Sequence, residues 1–105
     1  MSTHADILTA LAEPRAEVIL AGDRVRTRDA FYRVASRVDP VTISRAVGRE
    51  HVELGNGARL LVAPGWPQMR GMHPDRIFVL GELSDQFRTE CIALLRPGGV
   101  LVHEP

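Results

Sequence analysis

The stretch "DRIFVLGELSD", residues 75–85, decides the fold. Ile77, Phe78, Val79 and Leu80 form an unbroken apolar run, the mark of a strand covered on both faces. Gly81-Glu82 ends the run. Ser84 stands where an N-cap belongs, ahead of Phe87, Cys91, Leu94 and Leu95 at helical spacing. "RPGG" (96–99) stops that helix, and "VLVHE" (100–104) supplies a second strand. A strand, a helix of about a dozen residues and another strand make a parallel crossover unit. The expected class is α/β.

The upstream half adds compatible elements. "THADILTALA" (3–12) opens with Thr3-x-x-Asp6, has the pattern of a capping box, and gathers Ile7, Leu8 and Leu11 on one side before Pro14. "AEVILAG" (16–22) is a compact buried strand. Residues 24–38 follow as a helix with Phe31, Val34, Ala35 and Val38 on one face, closed by Asp39-Pro40. In "HVELGNGARLLVA" (51–63), Val52 and Leu54 alternate, Gly55-Asn56-Gly57 turns, and Ala58, Leu60 and Val62 alternate back, giving a β-hairpin. Residues 64–76 carry three prolines and two glycines and read as a loop. The expected architecture is a small sandwich with a mostly parallel sheet and one hairpin, residues 1–15 forming a capping helix on a 16–105 core.

A chain of 105 residues is one domain, and at that length it buries about 65% of its unfolded surface. The hydrophobic fraction of 45% and charged fraction of 25% are those of a soluble globular protein. Net charge is zero, and all thirteen basic residues are arginine. Eight arginines between Arg15 and Arg49 face four acids, whereas from Glu50 onward five face seven. Exclusive use of arginine fits codon bias in a G·C-rich bacterial or phage genome, and the neutral total weakens an expectation of nucleic-acid binding. Cys91 is the lone cysteine, and neither a signal-peptide h-region nor a transmembrane-length run is present. A cytoplasmic protein without disulfides or a membrane partner is expected.

"ELGNGARLLVAPGWPQMRGMHPDRIFVLGELSD" (53–85), with the flanking strands over residues 16–105, resembles the ATPase core of phage terminase large subunits and related RecA-like motor domains. That resemblance implies a Rossmann- or RecA-like sandwich and puts Glu82 at the acid that polarises the attacking water. The departures are large. The phosphate-binding loop G-x-x-x-x-G-K-[ST] is absent, there is no lysine, and Gly81 stands where the metal-holding acid belongs. "ALLRPGGVLVHEP" (93–105) also looks like a stretch of S-adenosylmethionine-dependent methyltransferases, without that family's glycine-rich first loop. Both likenesses point to one kind of scaffold, and a fold does not dictate a function.

The remaining candidates are few. Arg26, Arg33 and Arg37 line one side of helix 24–38 and could track phosphates, although a solvated face with Asp29–Arg33 as an i,i+4 pair explains them more simply. Trp66, Met69, Arg70 and Met72 carry the side-chain types that partner surfaces favour, on a loop. His4, His51, His73 and His103 have no metal-ligand spacing, so no metal or cofactor is expected. A Glu82/His103 pair at neighbouring strand ends is expected to be a vestige, and Cys91 a buried inert thiol. The leading expectation is a non-catalytic protein-interaction module, associating with itself or another chain. An unpaired sheet edge left where the motor fold's first core strand is missing would serve that association. The alternative is a nucleotide-binding or hydrolysing half-site completed by a partner, with Glu82 as its acid and Arg70 near the phosphates.

Overall fold

The computed structural model describes residues 3–105, apart from the side chain of Trp66. Six strands and four helices follow in the order α1 (Thr3–Leu11), β1 (Glu17–Gly22), α2 (Arg24–Ala35), β2 (Pro40–Ser44), β3 (His51–Leu54), β4 (Arg59–Val62), α3 (Trp66–Met69), β5 (Arg76–Leu80), α4 (Asp85–Leu94) and β6 (Val100–Glu104). The strands form one mixed sheet in the order β2-β3-β4-β1-β5-β6. β4, β1, β5 and β6 run parallel, while β2–β3 and β3–β4 pair antiparallel. The protein is α/β, as the crossover pattern predicts.

The apolar runs read as buried strands have that character because helices cover both sheet faces. Val18 and Leu20 of β1, with Phe78 and Leu80 of β5, point into a core shared with Ile7 and Leu11 of α1 and Phe31 and Val34 of α2. The alternate residues Ile19, Ala21, Ile77 and Val79 point the other way, against Met69, Cys91 and Leu94. A strand with two dry faces has no polar position to alternate with, hence the continuous run. Ser84 caps α4 as expected, its hydroxyl accepting from Phe87 N–H at 3.1 Å. Asn56 closes the hairpin turn: Oδ1 accepts from Ala58 N–H at 2.9 Å, and Nδ2 donates to Leu11 O at 3.0 Å, tying the turn to α1.

Three expectations need correction. The expected hairpin is there as β3 and β4, but residues 40–44 also form a strand, β2, which adds a third antiparallel member beside β3. Helix α2 ends at Ala35, three residues short of Val38, although Val38 still packs on the core. Within the proline-rich loop, residues 66–69 form a short helix with a proline at its start. β1 lies between β4 and β5, and the outer strands of the described sheet are β2 and β6.

Candidate functional site

In an open α/β sheet, ligands gather outside the carboxyl ends of strands whose following helices leave to opposite sides. Here those strands are β1 and β5, because α2 packs on one face and α4 on the other. Their ends come very close. Gly22 lies opposite Leu80 in the register, and Asp23 N–H donates to Leu80 O at 2.8 Å. Gly22 has φ +105° and Gly81 φ +101°, values that a side chain would strain.

The polar groups around this crevice largely satisfy one another. Asp23 caps α2, its carboxylate accepting from Arg26 N–H at 2.9 Å. Arg26 turns from α2 toward β6, its guanidinium 3.4 Å from both the main-chain oxygen and Oε1 of Glu104. Gly81 N–H donates to Glu104 O at 2.8 Å. His103 Nε2 lies 2.7 Å from Gly81 O; since a carbonyl only accepts, that nitrogen carries the proton and donates. Arg26, Gly81, Glu82, Ser84 and His103 therefore line one shallow opening. Glu82 is exposed in it, and His103 turns Nε2 to the Gly81 carbonyl rather than to the Glu82 carboxylate.

The first turn of α2 bears directly on phosphate binding. A helix N-terminus attracts anions through free amides and a positive dipole end. At α2 the Asp23 carboxylate already holds one of those amides and adds a negative charge. An incoming phosphate would meet repulsion there.

The arginine stripe divides. Arg26 belongs to the crevice, whereas Arg33 and Arg37 face a groove between α1 and α2 shared with His4 and Ser36. Arg33 also makes the expected i,i+4 pair, Nε to Asp29 Oδ2 at 3.0 Å. Of the four loop residues, Met69 is fully buried between the sheet and α4 and is unavailable to a partner. Met72 is partly buried against the same cluster, Arg70 is exposed, and the Trp66 side chain lies outside the described residues. Cys91 is buried, and desolvation, with Glu90 nearby, pushes its thiol up to about 11. Among the described residues no cluster of three or more His, Cys, Asp or Glu side chains is arranged to hold a metal ion, and no helix is long and apolar enough to cross a membrane.

One residue that sequence reasoning passed over stands apart. Glu50, just ahead of β3, is only 2% exposed. Its Oε2 lies 3.7 Å from Arg28 Nε, and its Oε1 has no partner. It lines a cavity walled by Val25, Thr27, Val47, Val62 and Pro64. No periodicity announces it: an acid beside a strand is ordinarily solvated.

No family model matches this sequence, and no curated protein or solved structure matches it.

Proposed function

We propose that this domain is a non-catalytic protein-interaction module on a Rossmann- or RecA-like scaffold, pairing with a second copy of itself through the outer edge of β6. The carrying observation is the state of that edge. Val100 N–H donates to Asp75 O, and Glu104 O accepts from Gly81 N–H, so the main-chain groups of Val100 and Glu104 face inward. Strand alternation turns those of Leu101 and His103 outward. The strand contains no proline or lysine and keeps one register with β5 along its length, so it lacks proline, lysine and a bulge, three of the devices that commonly blunt an edge. The other outer strand differs: β2 begins at Pro40 and its register shifts between Pro40 and Thr42.

An antiparallel pair about Val102 sets Leu101 opposite His103 of the second copy, twice by symmetry, for four main-chain hydrogen bonds. The half-site alternative, with Glu82 as the surviving acid, draws less support because the Asp23 carboxylate sits on the amide that a phosphate would use.

At roughly 1 kcal/mol net per hydrogen bond the pairing is weak, and sedimentation velocity from about 10 µM to about 1 mM is the suitable assay. The expected result is a reversible dimer that N-methylation of Leu101, introduced by semisynthesis, abolishes without disturbing the fold. A monomer across that range, or a dimer indifferent to the methyl group, refutes the proposal.

A further inference from the structure

The Glu50 cavity holds the one buried side-chain polar atom without a hydrogen-bond partner among the described residues. A carboxylate oxygen stripped of water and given no donor is costly unless a donor arrives. Arg28 is not that donor for Oε1. It approaches the other oxygen, at 3.7 Å, and its side chain is nearly half exposed. Thr27 adds a second acceptor at the cavity wall. Its buried hydroxyl donates to Arg24 O at 3.1 Å, which leaves the oxygen's lone pairs for a visiting N–H.

Size and lining narrow the ligand. The cavity measures about 150 Å³, room for a body of roughly six to eight heavy atoms. Its apolar walls are Val25, Val47, Val62 and Pro64. Val25 and Val47 are 79% and 69% exposed, the largest such values among the exposed large hydrophobic residues apart from Val41. Two bare valines at a cavity mouth gain by covering an aliphatic group. Charge then decides between a simple amine and something more. Arg24 and Arg28 also line the cavity, so three ionisable side chains together carry one negative and two positive charges. A bare cation gains Glu50 but is repelled by both arginines. A ligand with an ammonium at one end and a carboxylate at the other meets all three favourably.

We propose that the cavity is a binding site for a small aliphatic α-amino acid, with its ammonium on Glu50 and Thr27, its side chain between Val25, Val47 and Val62, and its carboxylate on Arg24 and Arg28. This site lies apart from the β6 edge and does not depend on it.

The test is a titration of L-valine into the intact, methyl-labelled protein, followed by NMR at Val25, Val47 and Val62. Isobutylamine and isobutyrate, each keeping one end of valine, serve as comparison ligands. Saturable shifts with L-valine below about 10 mM are expected. Isobutylamine should bind more weakly and isobutyrate not measurably. Glu50→Gln should weaken valine binding by about tenfold or more. Arg24→Ala, at an exposed position that leaves the core intact, should weaken valine but not isobutylamine. Absence of saturation with valine overturns the proposal, as does isobutyrate binding equal to that of valine. So does a Glu50→Gln protein that binds within twofold of the parent, or an Arg24→Ala protein that loses nothing.

Discussion

Replacing Gly22 with alanine probes the close approach of β1 and β5 that shapes the crevice. An ideal Cβ on Gly22 would stand 2.3 Å from Leu80 O, where real Cβ contacts essentially never fall below 3.0 Å. The obstacle is backbone, so no side chain can swing away; the strand ends must part by most of an ångström. That same oxygen accepts from Asp23 N–H at 2.8 Å, and parting the strands stretches the bond that starts the turn into α2. The φ of +105° adds strain for any residue with a Cβ. Backbone strain of about 1–3 kcal/mol and a lost hydrogen bond of about 0.5–1.5 kcal/mol together give about 1.5–4.5 kcal/mol. Against a domain stability of about 5–15 kcal/mol this is a large fraction.

Gly48→Ala supplies the control. Gly48 also has positive φ, +77°, but nothing lies within 4 Å of the position its Cβ would take. Only the left-handed backbone cost of about 1–2 kcal/mol applies. Urea and thermal unfolding followed by circular dichroism should place Gly22→Ala well below Gly48→Ala. At about 4–8 °C per kcal/mol, the Gly22 variant should lose about 6–36 °C in Tm. Two variants of equal stability would refute the close approach of the strand ends, and with it the geometry of the crevice.

Asp23→Ala should cost about 1 kcal/mol in urea unfolding, since it removes the N-cap of α2; no loss would show that the cap contributes nothing. Cys91, buried and with its thiol pushed up to about 11, should react with a thiol reagent at neutral pH only as fast as the protein opens. Its raised value also has a sign: the folded state keeps the proton longer than the unfolded chain. The corresponding stability is complete below the thiol's ordinary value and is lost as pH rises through about 11. Urea midpoints across that interval should fall less in Cys91→Ala than in the parent, and parallel curves would exclude the linkage.

The elements that can be read from sequence are those with a local cause. β1 and β5 carry unbroken apolar runs, 18–21 and 77–80, because helices cover both faces there, the 51–63 hairpin carries its own turn, and α4 carries its own cap. β2 has no such signature. Val41 and Thr42 are exposed, Pro40 doubles as a helix stop, and the strand exists because β3 offers it an edge. Pairing of that kind is non-local information. Met69 is legible as an apolar loop residue but not as a buried one, because its burial depends on the helical turn at 66–69 and on α4 arriving later in the chain. The spacing of Arg26, Arg33 and Arg37 implies one helix face, yet α2 ends at Ala35, ahead of Arg37, and Arg26 turns toward Glu104 at the end of β6. The cavity at Glu50 is lined by three separated segments, 24–28, 47–50 and 62–64, and no local pattern joins them.

The crevice and the Glu50 cavity differ in what their polar groups still need. At the crevice, Asp23 has the Arg26 amide, Arg26 has Glu104, and His103 has the Gly81 carbonyl. The Glu82 carboxylate stands in water there, where it needs no protein partner. A ligand at that position would have to displace bonds already made. Glu50 is in the opposite condition: its buried Oε1 has no hydrogen-bond partner and its side chain lines a cavity, so an N–H donor arriving there would relieve a penalty. The outward main-chain groups of Leu101 and His103 on β6 are a different case: as edge groups they face water, and the proposed pairing would exchange that hydration for bonds to a second strand. Satisfied polar groups thus argue against binding at the position where open α/β sheets commonly hold a ligand, and the unpartnered oxygen of Glu50 is what sets its cavity apart as the proposed site.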